Sequence, residues 1–321
     1  VTLHSSPAEP PPLESVVHAV GEFLRGKDKI IRLVLTALVA RGHVLIEDVP
    51  GVGKTTLAYG LAKALDQAVS RIQFTSDLLP SDILGVSLYQ ADRQAFHFVP
   101  GPIFADIVLA DEVNRASPRT QSALLEAMER GKVTIDGETR DLSRHFFVVA
   151  TQNPVDHEST FPLPEAQLDR FALRLSIGYP DAATERALMQ HGNRRYDELR
   201  VAEVTPWERI EEVREKAAGV FLEESLLDYI HGIIGATRKH EKIAVGVSPR
   251  GATQFCDLLK VQACLAGRNF VTPEDVQHLA VPALAHRLIL TDADFSLHQA
   301  SEQGKLIREV LASQSVPHRK D

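Results

Sequence analysis

"HVLIEDVPGVGKTTLAYGLAKAL", residues 43–65, is the stretch that decides the fold. A short apolar run enters a glycine turn, and an apolar-patterned segment leaves it from Lys54 onward. Strand, glycine turn, helix is the setting in which a phosphate-binding loop works. The second half of the pattern G-x-x-x-x-G-K-[ST] is complete in Gly53, Lys54 and Thr55, but its first position is Asp48. Backbone N–H groups from Gly51 to Thr55 can curl around phosphate oxygens at the helix N-terminus, where the helix dipole favours an anion. Lys54 is expected to reach the β- and γ-phosphates, and Thr55 to offer its hydroxyl to Mg²⁺. The first position only starts the turn, so Asp48 is expected to cost little, while Gly51, after Pro50, supplies conformational freedom. Pro50, Gly51, Val52, Gly53, Lys54, Thr55 and Thr56 are therefore the candidate nucleotide-binding residues.

Further along, "IVLADEVNRA" (107–116) is an apolar run that ends in two carboxylates, Asp111 and Glu112. A buried strand rarely ends in adjacent acids without a reason. Asp111 is expected to hold Mg²⁺ through its water shell, and Glu112 to orient and deprotonate an attacking water. "HFFVVATQNP" (145–154) is another buried run, with Asn153 at its end, where its amide could touch the γ-phosphate or the water. "LPEAQLDRF" (163–171) carries Arg170, a permanent planar cation suited to transition-state charge and often supplied by a neighbouring subunit. The alternative for Arg170 is a surface ion pair with Glu165 or Asp169. Arg250, in "SPRG" (248–251), falls in the first turn of a helix, where a cation gains nothing from the dipole. A phosphate partner would explain it, with the second domain closing over the nucleotide.

Short apolar runs alternating with helical patterns imply a mostly parallel sheet covered on both faces. From about Asp181 the strand-like runs stop. Ser248-Pro249 and Thr272-Pro273 then read as N-cap and first helical position of two successive helices. The expected organisation is a Pro-rich disordered tail over residues 1–12, an α/β nucleotide-binding core over 13–185, an all-helical domain over 186–315 and a tail over 316–321. "GKVTIDGETRDL" (131–142) reads as a β-hairpin, alternating on both sides of Asp136-Gly137.

Hydrophobic content of 44% and charged content of 24% are those of a soluble globular protein. No run approaches a membrane span, and residues 1–15 lack the pattern of a signal peptide. Cys256 and Cys264, eight apart in a helical pattern, read as packing residues in a reducing cytoplasm. His43, His97, His145 and His157 read as surface or strand-end residues, and no Cys/His cluster has metal-ligand spacing. A net charge of −8 argues against a dedicated nucleic-acid binder.

"EDVPGVGKT", "LADEVNRASPRTQSALLEAMERGKVTIDGE", "ATQNP", "FPLPEAQLDRF" and "SPRG", in this order and spacing, resemble the MoxR family of AAA+ ATPases over residues 13–315. The resemblance implies an α/β P-loop AAA+ core followed by a smaller all-helical lid, with ATP and Mg²⁺ as cofactors and assembly into a ring, usually a hexamer. By motif position Lys54 and Thr55 match Walker A, Asp111 and Glu112 Walker B, Asn153 sensor 1, Arg170 the arginine finger and Arg250 sensor 2. Asp48 looks like a common variant within the family. The segment at about 76–104 resembles an insertion into the second helix of the core, and in related rings such segments and the following hairpin act on the client.

The resemblance also implies a chaperone-like role in assembly or activation of protein complexes, including metal-cofactor insertion, often with a partner carrying a von Willebrand factor A domain. The alternative is a DNA-processing motor. Related DNA-unwinding rings carry basic residues on the corresponding hairpin. Here the tip is "TIDGET", with Asp136 and Glu138, and Lys132 and Arg140 lie at the base, which repels a phosphate backbone. A small-molecule kinase would not need Glu112, Arg170 and Arg250 around a subunit boundary. The "GAFTGA" loop of sigma-factor activators is absent.

Overall fold

The glycine turn leaves the fourth strand of a five-stranded parallel sheet. In the computed structural model, residues 11–153, 161–191, 204–291 and 299–317 are described. Most of the expected N-terminal tail, His157 and the last four residues lie outside them. In chain order the N-terminal region runs α1 (Glu14–Gly21), α2 (Asp28–Val39), β1 (Val44–Glu47), α3 (Lys54–Ala64), β2 (Val69–Gln73), α4 (Pro80–Leu84), β3 (Gly85–Gln90), β4 (Ala95–Pro100) and β5 (Ile107–Asp111). It continues with α5 (Pro118–Arg130), β6 (Lys132–Ile135), β7 (Glu138–Asp141), β8 (Phe147–Gln152), α6 (Glu165–Leu168) and β9 (Leu173–Leu175). The sheet order is β2-β5-β8-β1-β9, every pairing parallel.

Period-two alternation divides the strands between two apolar layers. Val44, Ile46, Ile107, Leu109 and Val149 face α1, α2 and α3. Leu45, Val108, Ala110, Val148 and Ala150 face Leu124 and Leu125 of α5. Burial on both faces is why these strands read as continuous apolar runs. β9 escapes that reading: it has three residues, and Arg174 interrupts it.

Between β2 and β5 the chain has no full helix. One turn, α4, is followed by the antiparallel β3–β4 hairpin and a 3₁₀ turn at Pro102–Phe104. The β6–β7 hairpin forms around Asp136 and Gly137, whose φ values of 52° and 81° are those of a two-residue turn that favours Asp-Gly.

The C-terminal region contains α7 (Ala182–His191), α8 (Trp207–Ala218), α9 (Glu224–Thr237), α10 (Pro249–Leu265), α11 (Pro273–Leu284) and α12 (Gln299–Ser313). Among its described residues it is helical apart from one small antiparallel pair, β10 (Ile243–Val245) with β11 (Ile289–Leu290), and a single bridge between Phe221 and Phe270, which the sequence does not announce. Ser248 accepts from Gly251 N, and Thr272 forms a capping box with Asp275, so both helices open as their sequences require.

The two regions are fused by apolar packing. One buried cluster contains Val34 and Leu38 of α2, Ile210 and Val213 of α8, and Leu258 and Leu259 of α10. Arg214 of α8 donates to the carbonyls of Leu38 and Val39 at 2.9 and 3.0 Å, satisfying the C-terminus of α2. Trp207 stacks on His145 at 4.1 Å between centroids.

His43 takes the second of its two expected placements, a strand end rather than the surface. It is buried where β1 begins, its Nε2 donating to Met128 O and its Nδ1 accepting from Val148 N. Burial holds the imidazole neutral and brings its pKa down to about 4. Both cysteines are free, with Cys264 buried.

Candidate functional site

In a parallel sheet all strands end on one edge, and β5, β8 and β1 are adjacent. Asp111 and Glu112 at the end of β5, Asn153 after β8 and the glycine turn after β1 therefore converge on that edge. Gly51 and Gly53 have φ of 86° and 100°, a region that L side chains rarely adopt. A Cβ on Gly53 would also lie 2.6 Å from Leu24 Cδ1. The turn thus needs both glycines, and α3 starts directly at Lys54.

Lys54 is buried, and its Nζ donates to Asp48 O at 2.8 Å. Burial pulls its pKa down, against the opposing pull of Asp111, Asp48 and Glu112. The Asp48 carboxylate is not idle: Oδ2 accepts from Ser176 Oγ at 3.0 Å, Ile177 N at 2.5 Å and Gly178 N at 2.9 Å. Lys27 holds the same turn from the other side, donating to Ile177 O at 2.6 Å and Tyr179 O at 2.8 Å. Asp48 therefore ties the start of the glycine turn to the segment by which the chain leaves β9. Asp48→Gly, which restores the usual pattern, is expected to destabilise the fold by about 2–3 kcal/mol by stripping a charged acceptor from three donors. Urea unfolding checks this, and an unchanged midpoint would show that the ties carry no weight.

The paired acids are fixed by neighbours that sequence reading missed. Thr151 of β8 donates to Asp111 Oδ1 at 2.6 Å and accepts from Glu112 N at 3.0 Å, so one hydroxyl orients both residues. Arg71 of β2 lies 2.5 Å from Asp111 Oδ2, and Gln73 Nε2 donates to Glu112 Oε2 at 3.1 Å. Arg115 lies 3.2 Å from the same Glu112 oxygen. Glu112 has φ 58° and ψ 49°, a left-handed conformation that costs a non-glycine residue about 1–3 kcal/mol and occurs where function holds a side chain in place. A signal was available: Arg71 and Gln73 alternate with Ile72, which puts two polar side chains on one face of a sheet strand.

Arg170 and Arg250 are not at this edge. Arg170 lies three residues before β9 starts, on the edge where the strands begin. Arg250 bonds Glu129, the neighbour of Met128, whose carbonyl receives His43 just before β1. The length of β1, about 13 Å, stands between that edge and the glycine turn. In this structure Arg250 therefore lies beside the edge where the strands begin and not over the glycine turn, where its position in a second domain had placed it by expectation. The physical reason is the docking of α10. Ser248 Oγ donates to Asp169 Oδ2 at 3.0 Å, and Arg287 Nη1 donates to Asp169 Oδ1 at 2.5 Å and Nη2 to Phe171 O at 2.8 Å. Arg287, which follows α11, also donates to Gln254 Oε1 of α10 at 2.5 Å, so together these bonds fasten the helix beside the Asp169–Phe171 turn. They also take up Asp169, so the carboxylate on Arg170 is Glu129.

A glycine loop on one strand of this parallel sheet, with paired acids two strands away and helices following, defines a P-loop ATPase of the AAA+ class. Family comparison agrees: residues 43–173 match the ATPase family associated with various cellular activities (AAA), and residues 235–309 match the AAA lid domain. The chain is 46% identical to the uncharacterized protein YeaC of Bacillus subtilis, covering 96% of this chain and 95% of that one. It is 38% identical to chaperone MoxR1 of Mycobacterium tuberculosis, covering 88% and 77%. The crystal structure of a provisionally assigned ATPase from Cytophaga hutchinsonii superimposes with a TM-score of 0.84 at 35% identity, covering 96% and 95%. The chain belongs to the MoxR family of AAA+ ATPases.

Proposed function

We propose that this chain hydrolyses ATP and, as a ring of copies, uses the energy to remodel protein complexes. The observation that carries the hydrolytic reading is the convergence of Lys54, Asp111, Glu112 and Asn153 on one sheet edge, with Glu112 in a strained conformation. In this reading Pro50–Thr56 cradle the phosphates, Lys54 leaves Asp48 O for the β- and γ-phosphates, Glu112 activates water, and Asn153 orients it. Thr55 and Asp111 fit Mg²⁺, which takes a hydroxyl and a carboxylate and keeps several waters. Arg71 already sits on that carboxylate and would have to yield or share the oxygen when the ion binds. When bound, Mg²⁺ would neutralise charge on the phosphates.

The division into a core over 13–185 and a helical lid over 186–315 belongs to the same proposal. Arg170 and Arg250 act on the nucleotide of an adjacent copy, because their own lies at the opposite edge. A closed ring, taken as a hexamer, gives every copy such a neighbour.

Two hairpins favour a protein client. β3–β4 exposes Leu88, Tyr89 and Phe96, with Phe96 74% exposed, and the β6–β7 tip is acidic. Such surfaces suit polypeptide better than a phosphate backbone. A relative named as a chaperone supports this reading. Assembly or activation of complexes, metal-cofactor insertion, a partner with a von Willebrand factor A domain and a cytoplasmic setting are the finer elements of the proposal. No helix among the described residues is long and apolar enough to cross a membrane.

The test holds Glu112→Gln in ATP, captures it from a lysate of its own organism, and compares it with Lys54→Ala. The expected result is ATP-dependent retention of defined proteins by the first variant alone. Retention of nuclease-sensitive nucleic acid would replace the remodeller with a DNA motor.

A further inference from the structure

Arg170 and Arg250 converge on one carboxylate. Arg170 Nη2 lies 3.1 Å from Glu129 Oε2, and Arg250 Nη1 donates to Glu129 Oε1 at 2.7 Å. The three residues come from separate elements: the turn before β9, the first turn of α10 and the last turn of α5. A cation in a first turn and an anion in a last turn each oppose their own helix dipole. Each is therefore placed against local preference, and each has the other as compensation. Asp169, the acid next in sequence to Arg170, is already engaged by Arg287 and Ser248. The group is partly open to solvent, with side-chain exposures of 27% for Arg170, 40% for Glu129 and 47% for Arg250. Two permanent cations share one anion, so the set keeps an excess positive charge on a surface remote from the chain's own glycine turn. Guanidinium groups bind phosphate oxygens in the same geometry as carboxylate oxygens, and a polyphosphate brings more of both oxygen and charge.

We propose that Glu129 is a placeholder for the phosphates of a second copy of this chain. Its two oxygens hold Arg170 and Arg250 side by side before assembly and are exchanged for two phosphate oxygens of the neighbour's nucleotide when copies meet. The exchange is of ion pairs only, with no covalent step. It rests on the reading above, in which both arginines act between copies. Glu129 then sets a threshold: a neighbour engages the arginines only when it carries a nucleotide that outcompetes the carboxylate.

The experiment measures ATP turnover by the full-length chain against protein concentration, and sedimentation with a non-hydrolysable ATP analogue, for the parent, Glu129→Gln and Glu129→Asp. With the carboxylate neutralised, half-maximal turnover and nucleotide-dependent assembly are expected at a protein concentration about threefold lower or more, as for loss of partly exposed ion pairs. The shorter Glu129→Asp, which cannot span both arginines, shifts in the same direction and serves if the glutamine variant folds poorly. In sedimentation, which needs no turnover, the shift disappears when Arg170→Ala and Arg250→Ala are added. An unchanged or raised half-saturation concentration in Glu129→Gln overturns the placeholder. If Arg170→Ala and Arg250→Ala, with Glu129 intact, each retain parental turnover, the between-copies reading itself fails. If they lose turnover while Glu129→Gln shifts nothing, the placeholder alone fails.

Discussion

Glu112→Gln is expected to bind ATP with parental affinity and to hydrolyse it slower by a factor on the order of 10²–10⁴, the usual contribution of a positioned general base. The change keeps side-chain length, so the backbone bond from Glu112 N to Thr151 and the neighbouring Asp111–Thr151 contact should persist. What is lost is the carboxylate's capacity to take a proton. Steady-state turnover and equilibrium binding of a fluorescent ATP analogue separate the two effects. Turnover within a few-fold of the parent would move the base elsewhere. Loss of binding would instead make Glu112 a member of the scaffold that shapes the phosphate site.

Arg170→Ala should reduce turnover by about 10³ or more, the range for a supplied arginine, without changing nucleotide affinity of the isolated subunit. The geometry makes the second half of that statement a strong one, because Arg170 precedes β9 on the edge where the strands begin. Mixing gives the sharper measurement. Neither Arg170→Ala nor Glu112→Gln turns over alone, but a mixed assembly pairs an intact Glu112 site with an intact arginine from its neighbour. Recovery of turnover on mixing is the expected result, and the same experiment applies to Arg250→Ala. Failure of Arg250→Ala to recover would return that residue to its own subunit's nucleotide.

Residues that are contiguous in the chain are legible in the sequence alone. The glycine turn and Lys54 announce themselves because strand, turn and helix follow one another directly, and Asp111-Glu112 because paired acids at the end of an apolar run are unusual. The β6–β7 hairpin is equally plain from Asp136-Gly137. What depends on neighbours across the sheet is not legible in this way. "RIQFT" reads as a strand, yet nothing local says that it lies beside β5, so the contacts of Arg71 and Gln73 with the paired acids stay hidden. Asp48 reads as a tolerated deviation because its three donors come from a turn more than a hundred residues later. The placement of Arg250 stays hidden for the same reason: its helix is correctly capped, but Ser248, Gln254, Asp169 and Arg287 decide where that helix docks.

The buried cluster that runs from α2 into α8 and α10 is continuous between the helices and the sheet, and so is expected to make them unfold as one cooperative unit rather than as two modules in series. Cutting the chain after β9 would strand Val34 and Leu38 at a new surface and remove the cap that Arg214 places on α2. Heat should therefore melt both regions together. A substitution deep in α10, remote from any phosphate, would drain stability from the nucleotide site as readily as one beside it.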